Sequence, residues 1–294
     1  MTIINQRYKL IDKIGSGCFG TIFKAEDIQN DIYVAVKIES KKSKKKRLSH
    51  EIRIYQNLIS SKYHSHFIPR ILWYGNNENH NFLVMEYMGY NLEKIFLKHK
   101  HSFTLKTIIM LTIDLLNALQ FIHHHNVIHR DLKPDNIVIS HQNQNVYLLD
   151  FGLSKNFIDV ENQKHLKLVK NKSLVGSVRY ASIRNHKGYE ISRRDDLESL
   201  AYILLYLFKK GKLPWNGLPI SDKEEKNKQI LNIKKNIPIK ELCKDIPQEY
   251  QTLLSYSRKL KFEQKPNYDY LIHLFHKLLN NSGFKYDQQY DWIK

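Results

Sequence analysis

The chain has 294 residues, 42% of them hydrophobic, a length at which one large fold or two fused lobes is expected. Its formal charge of +18 favours anionic partners, whether nucleic acid, acidic headgroups or acidic and phosphorylated peptides, without choosing among them. No uninterrupted apolar run reaches the roughly 18 residues of a membrane span, the first residues show no secretory signal pattern, and Cys18 and Cys243 form neither CxxC nor CxxH spacing and read as free thiols. The expectation is a soluble, intracellular protein, in the cytoplasm, the nucleus or both.

Up to about residue 90 the pattern predicts strands, at Ile11 and Ile14, at Thr21-Ile22-Phe23, over residues 33–38 and over residues 82–85. One helix interrupts them over residues 51–59, where Ile52, Ile54, Leu58 and Ile59 approach a helical stripe. The basic run of residues 41–47 before it reads as a solvated loop, with an anion-docking loop or a nuclear address as the functional alternatives. After Gly89 the composition turns helical: residues 105–125 form the longest periodic stretch, and residues 196–208 are almost wholly apolar and expected to be buried. No repeat, low-complexity linker or Ser- or Pro-rich tail is visible, so no additional domain is expected.

The run Ile14-Gly15-Ser16-Gly17-Cys18-Phe19-Gly20-Thr21-Ile22 contains GxGxxG, a string shared by ordinary tight turns and by dinucleotide-binding loops. A dinucleotide loop must open a helix, whereas these glycines lie between two strand-like runs and precede β-branched Thr21 and Ile22, a poor helix start. A hairpin whose backbone closes over phosphates fits better. Downstream, Val34-Ala35-Val36-Lys37 is a buried-type strand ending in a lysine, and Glu51 follows 14 residues later. A lysine in an apolar strand requires a carboxylate and an anionic ligand; a surface lysine on an edge strand is the plain alternative.

The segment His129-Arg130-Asp131-Leu132-Lys133-Pro134-Asp135-Asn136, with Asp150-Phe151-Gly152 following Asn136 by 14 residues, resembles the catalytic loop and metal motif of the protein kinases. The chemistry needs these residue types. Phosphoryl transfer calls for a carboxylate near the acceptor hydroxyl, an amide oxygen and a carboxylate on Mg²⁺, and cations on the phosphates.

The resemblance implies an α+β, bilobal protein kinase fold with a small antiparallel β-sheet lobe carrying one helix and a larger, mainly helical C-terminal lobe. Residues 1–294 would be a single catalytic domain, with the N-lobe over 8–88 and the C-lobe over 89–294. ATP and Mg²⁺ are the implied cofactors. Asp131 would orient or accept the proton of the substrate hydroxyl, Asn136 and Asp150 would hold Mg²⁺, and Lys37, held by Glu51, would grip the α- and β-phosphates. Gly15, Ser16, Gly17, Cys18, Phe19 and Gly20 would cover the phosphates. Ile14, Ile22, Ala35 and Val138 would sandwich the adenine, with Met85 behind it and the backbone of Glu86 and Met88 at its edge. Lys133, two residues after Asp131, is the choice of serine/threonine kinases.

Beyond the metal motif, Gly176-Ser177-Val178-Arg179-Tyr180-Ala181-Ser182-Ile183-Arg184 looks like the casein kinase I pattern GTxRYASIN, with Arg184 in place of its asparagine. Residues 192–200, 213–218 and 265–268 resemble that group as well, and the likeness runs from Tyr8 to Trp292. It implies protein substrates with a phosphate or acidic group upstream of the target residue, read by Arg179 and Lys226 with Lys223 as a third contact. A structural ion pair is the alternative for Arg179. Glu224 and Glu225 stand where the group is more basic, which weakens phosphate preference. Lys94 near the ribose and Cys18 in the glycine loop are further departures; Cys18 is either a thiol that reacts beside ATP or an inert buried one. Without the Ser/Thr-rich tail of autoinhibited members, activity is expected without a tail to remove. A monomer is expected, and no specific nucleic acid, because the aromatic residues fall at core-like positions and no RNP-type strand motif is present. The competing functions are a pseudokinase scaffold and a small-molecule kinase; the first lacks support because every catalytic position is filled, the second because the Arg179 platform is foreign to it.

Overall fold

Alternating β-branched and aromatic residues in the first 90 positions form one sheet in the computed structural model of the chain, which describes residues 2–17, 20–44, 46–59, 66–140, 144–159 and 161–293. The chain divides into two units, Met1–Gly89 with Ile139–Ser154, and Tyr90–Val138 with Lys155–Lys294. In the first unit β1 (Ile3–Ile4), β2 (Tyr8–Gly17), β3 (Gly20–Asp27), β4 (Ile32–Ser40), β5 (Ile71–Asn76) and β6 (His80–Glu86) pair antiparallel in the order β1-β2-β3-β4-β6-β5.

Register decides the faces of this sheet. Ile22 lies opposite Lys37, Lys37 opposite Leu83 and Ala35 opposite Met85, and directly opposed residues share a face. Ile22, Ala35, Lys37 and Met85 therefore stand on one side. On the other side Val34, Val36, Phe82 and Val84 pack with Ile4, Tyr8 and Ala25 into an apolar core.

Helix α1 (Leu48–Ile59) starts earlier than its sequence pattern predicts. The Glu39 carboxylate of β4 accepts hydrogen bonds from the amides of Arg47 (2.6 Å) and Leu48 (3.0 Å), satisfying groups that a helix start leaves open. This acid also offsets the basic run that leads into the positive end of the helix dipole. A cap from a neighbouring strand leaves no local signature.

The second unit is mainly helical. It contains α2 (Leu92–Lys98), α3 (Leu105–His124), α4 (Ile183–His186), α5 (Arg193–Phe208), α6 (Lys223–Asn236), α7 (Ile239–Leu242), α8 (Gln248–Lys259) and α9 (Tyr268–Asn281). Short strands β7 (Val127–Ile128) and β10 (Lys155–Asn156) pair antiparallel; β8 (Ile137–Ile139) closes the Tyr90–Val138 stretch, and β9 (Val146–Leu148) belongs to the first unit. Helix α3 is long and apolar enough to cross a membrane by length and composition, yet it is a mostly buried core helix packed against α5 and α9. Its N-cap is Thr104, whose hydroxyl accepts from the Thr107 amide. Helix α5 is buried as predicted, but it begins at Arg193 and its first turns bury Arg194, Asp195, Asp196 and Glu198. Buried charges in a core helix must be paired.

Candidate active site

In the first unit, Lys37 projects from β4 and its Nζ lies 2.6 Å from Glu51 Oε2 on α1 and 2.9 Å from Asp150 Oδ1. The sheet and the helix thus supply the carboxylate that the buried lysine needs. Burial works against the Lys37 ammonium, but Glu51 and Asp150 outweigh it and hold its pKa above the ordinary lysine value. The edge-strand alternative is excluded by burial, since Lys37 is only 6% exposed.

Asp150 adopts left-handed backbone geometry, φ 62°, ahead of a 3₁₀ turn at Phe151–Leu153. That turn is fastened to α1. Phe151 meets Tyr55 edge to face with centroids 5.1 Å apart, Arg47 Nη1 donates to the Gly152 carbonyl at 3.1 Å, and His50 Nε2 lies 2.9 Å from the Ser154 carbonyl.

The glycine-rich run is a hairpin, with Gly15 opposite Ile22, Ser16 opposite Thr21 and Gly17 opposite Gly20, and Ile14 sits at the bulge beside Gly15. Gly20 has φ +138°, and a Cβ there would come 2.4 Å from the Ile38 carbonyl oxygen, so no side chain fits. Cys18 and Phe19 lie outside the described residues, and the expectation of a reactive thiol lies there with them. Met85 and Met88 are buried. The Glu86 amide donates to the Arg70 carbonyl and its side chain pairs with Arg70.

In the second unit the turn after β7 carries Asp131, Lys133 and Asn136. Asp131 Oδ1 accepts the Ser177 amide at 2.7 Å, Asp131 Oδ2 lies 3.2 Å from Lys133 Nζ, and Asn136 Nδ2 donates to the Asp131 carbonyl at 2.9 Å. Gly176 permits this close approach. Its φ is +80°, and a Cβ would meet the Arg130 carbonyl at 2.4 Å and Asp131 Oδ1 at 3.0 Å. Val138, in β8, bridges to Asn91 at the head of α2. Lys94 is exposed in the first turn of that helix, its amide donating to Asn91 Oδ1 at 2.9 Å.

Buried charges of α5 hold this turn, a role that sequence reasoning missed. Asp196 accepts the amides of His129 (2.8 Å) and Arg130 (2.9 Å) and also pairs with His123 Nε2 (2.9 Å). Burial alone would raise the Asp196 carboxyl, yet His123 and these amides keep it below the usual carboxylate range. Its sequence signal was an acidic residue interrupting an apolar helix, which by itself does not name a partner.

Arg179 is exposed, and no carboxylate among the described residues forms an ion pair with it. Its guanidinium lies 5.8 Å and 5.7 Å from the ring centres of Tyr180 and Tyr206. On α6, Lys223 is exposed and Lys226 half-buried. Lys226, Ile230 and Lys234 recur every four residues and form one stripe, whose last member bonds to the carbonyls of Val178 and Ala181. The departure at Arg184 has a structural role: its Nη2 donates to the Arg258 carbonyl at 2.5 Å and its Nη1 lies 3.9 Å from Glu198 Oε2, where Arg258 also pairs with that glutamate.

A family model described as the protein kinase domain matches residues 8–281 of this chain.

Proposed function

The chain belongs to the protein kinase family, and from that premise we propose that it phosphorylates serine or threonine in proteins in the manner of the casein kinase I group, preferring acidic or phosphate-primed substrates. The observation that carries the catalytic reading is the posture of Asp131. Its carboxylate is fixed by the Ser177 amide at 2.7 Å and by Lys133 at 3.2 Å. A carboxylate so held can orient an incoming hydroxyl and take its proton as the new P–O bond forms. Lys133 beside it is the serine/threonine-type residue, and its ammonium opposes charge growing on the transferred group.

Bound ATP supplies the γ-phosphoryl group, and Mg²⁺ would neutralise charge on the phosphates. The residues fit that ion. In the second unit Asn136 spends its amide nitrogen on Asp131, which leaves its amide oxygen available as a ligand. In the first unit Asp150 offers a carboxylate, and each is the kind of hard oxygen ligand Mg²⁺ takes. Lys37, anchored by Glu51, keeps a cation where the phosphates would lie. We take the whole chain as one catalytic domain.

Substrate preference rests on Arg179, exposed and free of any carboxylate ion pair among the described residues. Lys226 on the α6 stripe and Lys223 are its proposed companions. Arginine suits bidentate phosphate binding and lysine adds a point charge.

The test is Mg²⁺-ATP phosphoryl transfer to casein and to a matched primed and unprimed peptide pair by the chain and its Asp131→Asn variant. Transfer that falls by about 10²-fold or more in the variant supports Asp131 as the base. Preference for the primed peptide supports the group assignment, and equal rates on both peptides would refute it. Retained ATP binding with no transfer from either protein would indicate a scaffold.

A further inference from the structure

The segment that presents Arg179 is gripped from beneath by two buried side chains that the catalytic reading does not use. Lys234, fully buried on α6, donates from Nζ to the Val178 carbonyl at 3.0 Å and to the Ala181 carbonyl at 2.7 Å. Trp215, 2% exposed, donates from Nε1 to the Arg179 carbonyl at 2.8 Å. Three carbonyls, one on Arg179 and one on either side of it, are thus tied to α6 and to the loop before it, while the Arg179 side chain stays exposed.

Lys234 is an expensive residue to bury. Burial pushes its pKa well below the ordinary lysine value, with Glu198 opposing. The surroundings are nevertheless built for an ammonium. His186 Nε2 lies 3.2 Å from Nζ and 3.3 Å from the Val178 carbonyl, and the rings of Tyr202 and Trp215 lie 4.8 Å and 5.0 Å from Nζ. Burial and the nearby Lys234 hold His186 down to about 3, so its imidazole is neutral. Two carbonyls accept from Nζ, and two aromatic faces take the remaining side. The same helix residue is fixed in turn by Arg258, whose Nη2 donates to the Lys234 carbonyl at 3.1 Å and to Tyr202 Oη at 2.9 Å. A leucine or methionine would fill this space but leave the Val178 and Ala181 carbonyls without their donor, so what the lysine adds here is a hold on those carbonyls.

We propose that Lys234, seconded by Trp215, is a positioning residue for substrate selection: it holds the backbone around Arg179 so that the guanidinium is pre-aimed at an anionic group on the substrate. The inference rests on the substrate reading above and deepens it. Preorganisation of this kind lowers the ordering cost of binding the anion and leaves the phosphoryl-transfer step itself unchanged. Lys234 acts only through Arg179 and touches no reacting group.

The test uses the full chain with Lys234→Met and, as a milder change that keeps an aromatic ring, Trp215→Phe. Steady-state kinetics are measured on the primed and unprimed peptides, with thermal melting as a check on folding. The expected result is a KM for the primed peptide raised about ten-fold in Lys234→Met, the scale of one lost hydrogen-bond set, with kcat and the unprimed KM within about two-fold of the original. Trp215→Phe is expected to shift the same ratio in the same direction by less. A variant that melts lower but keeps the primed-to-unprimed ratio would overturn the proposal and leave Lys234 as a packing residue. If Lys234→Met does not fold, an unchanged ratio in Trp215→Phe overturns it equally. Should the unaltered chain fail to discriminate between the peptides, the substrate reading itself fails, and that result is visible before any variant is made.

Discussion

Lys37 and Asp131 each have a partner far away in the sequence. Lys37 is held by Glu51 and Asp150, and Asp131 by Ser177 and Lys133. The least conspicuous of these residues is Gly176. It lies directly against the Arg130 carbonyl with φ +80°, so an added methyl group meets both a backbone oxygen at 2.4 Å and the Asp131 carboxylate at 3.0 Å. Gly176→Ala is expected to displace Asp131 and lower kcat by about 10²-fold, the cost of a misplacement near 1 Å, while the protein still folds. Peptide phosphorylation and a thermal melt on the same sample check both parts, and unchanged kcat would show that the loop yields. The motif letters of the catalytic loop were legible in the sequence, but Gly176 read only as the opening of a family-like pattern because a steric requirement appears only when two segments meet.

Elements in this protein begin and end where tertiary partners permit. Helix α1 shows this best, since its first amides are capped by Glu39, eight and nine residues earlier in β4, which also receives Asn81 Nδ2 at 3.1 Å. Replacing Glu39 by glutamine keeps its shape and weakens the charge-assisted cap. We expect a loss of about 1 kcal/mol in the urea unfolding free energy. Because α1 carries Glu51, a rise in the KM for ATP should accompany it; a stability loss without any change in that KM would separate the cap from the site. Periodicity correctly placed α1 on the chain and missed its start for the same reason. Helix α5 illustrates the converse. Its apolar run predicted burial, whereas its buried Asp195, Asp196 and Glu198 could not be assigned partners until the catalytic turn, Ser182 and Arg258 were seen around them.

At the scale of the whole molecule, acid stability is a property of pairs such as Arg7 and Asp27, which join the entry of β2 to the end of β3 at 2.6 Å. The hydrogen bond from Arg7 holds the Asp27 carboxyl down to about 2, aided by Gln29 and Asn30. A carboxyl depressed in the native state stabilises it above the unfolded value near 3.8, and this contribution is lost as pH falls through about 2. The stability difference between the unaltered chain and Asp27→Asn should therefore be full above pH 4 and shrink towards pH 2. A difference independent of pH in that window, measured by chemical denaturation, would assign the effect to packing. By itself the sequence determined the family, because the run from His129 to Asn136 and the Asp150-Phe151-Gly152 motif keep their spacing as a readable string. It also determined the succession of a strand-rich and a helix-rich half, because alternation and helical periodicity are local properties. Only the tertiary structure decided which buried charges answer one another, from Glu39 of β4 capping α1 to Asp196 on the amides of His129 and Arg130 and Lys234 on the carbonyls around Arg179. Those pairings depend on distance in space between residues far apart in the chain, and no local pattern encodes that distance.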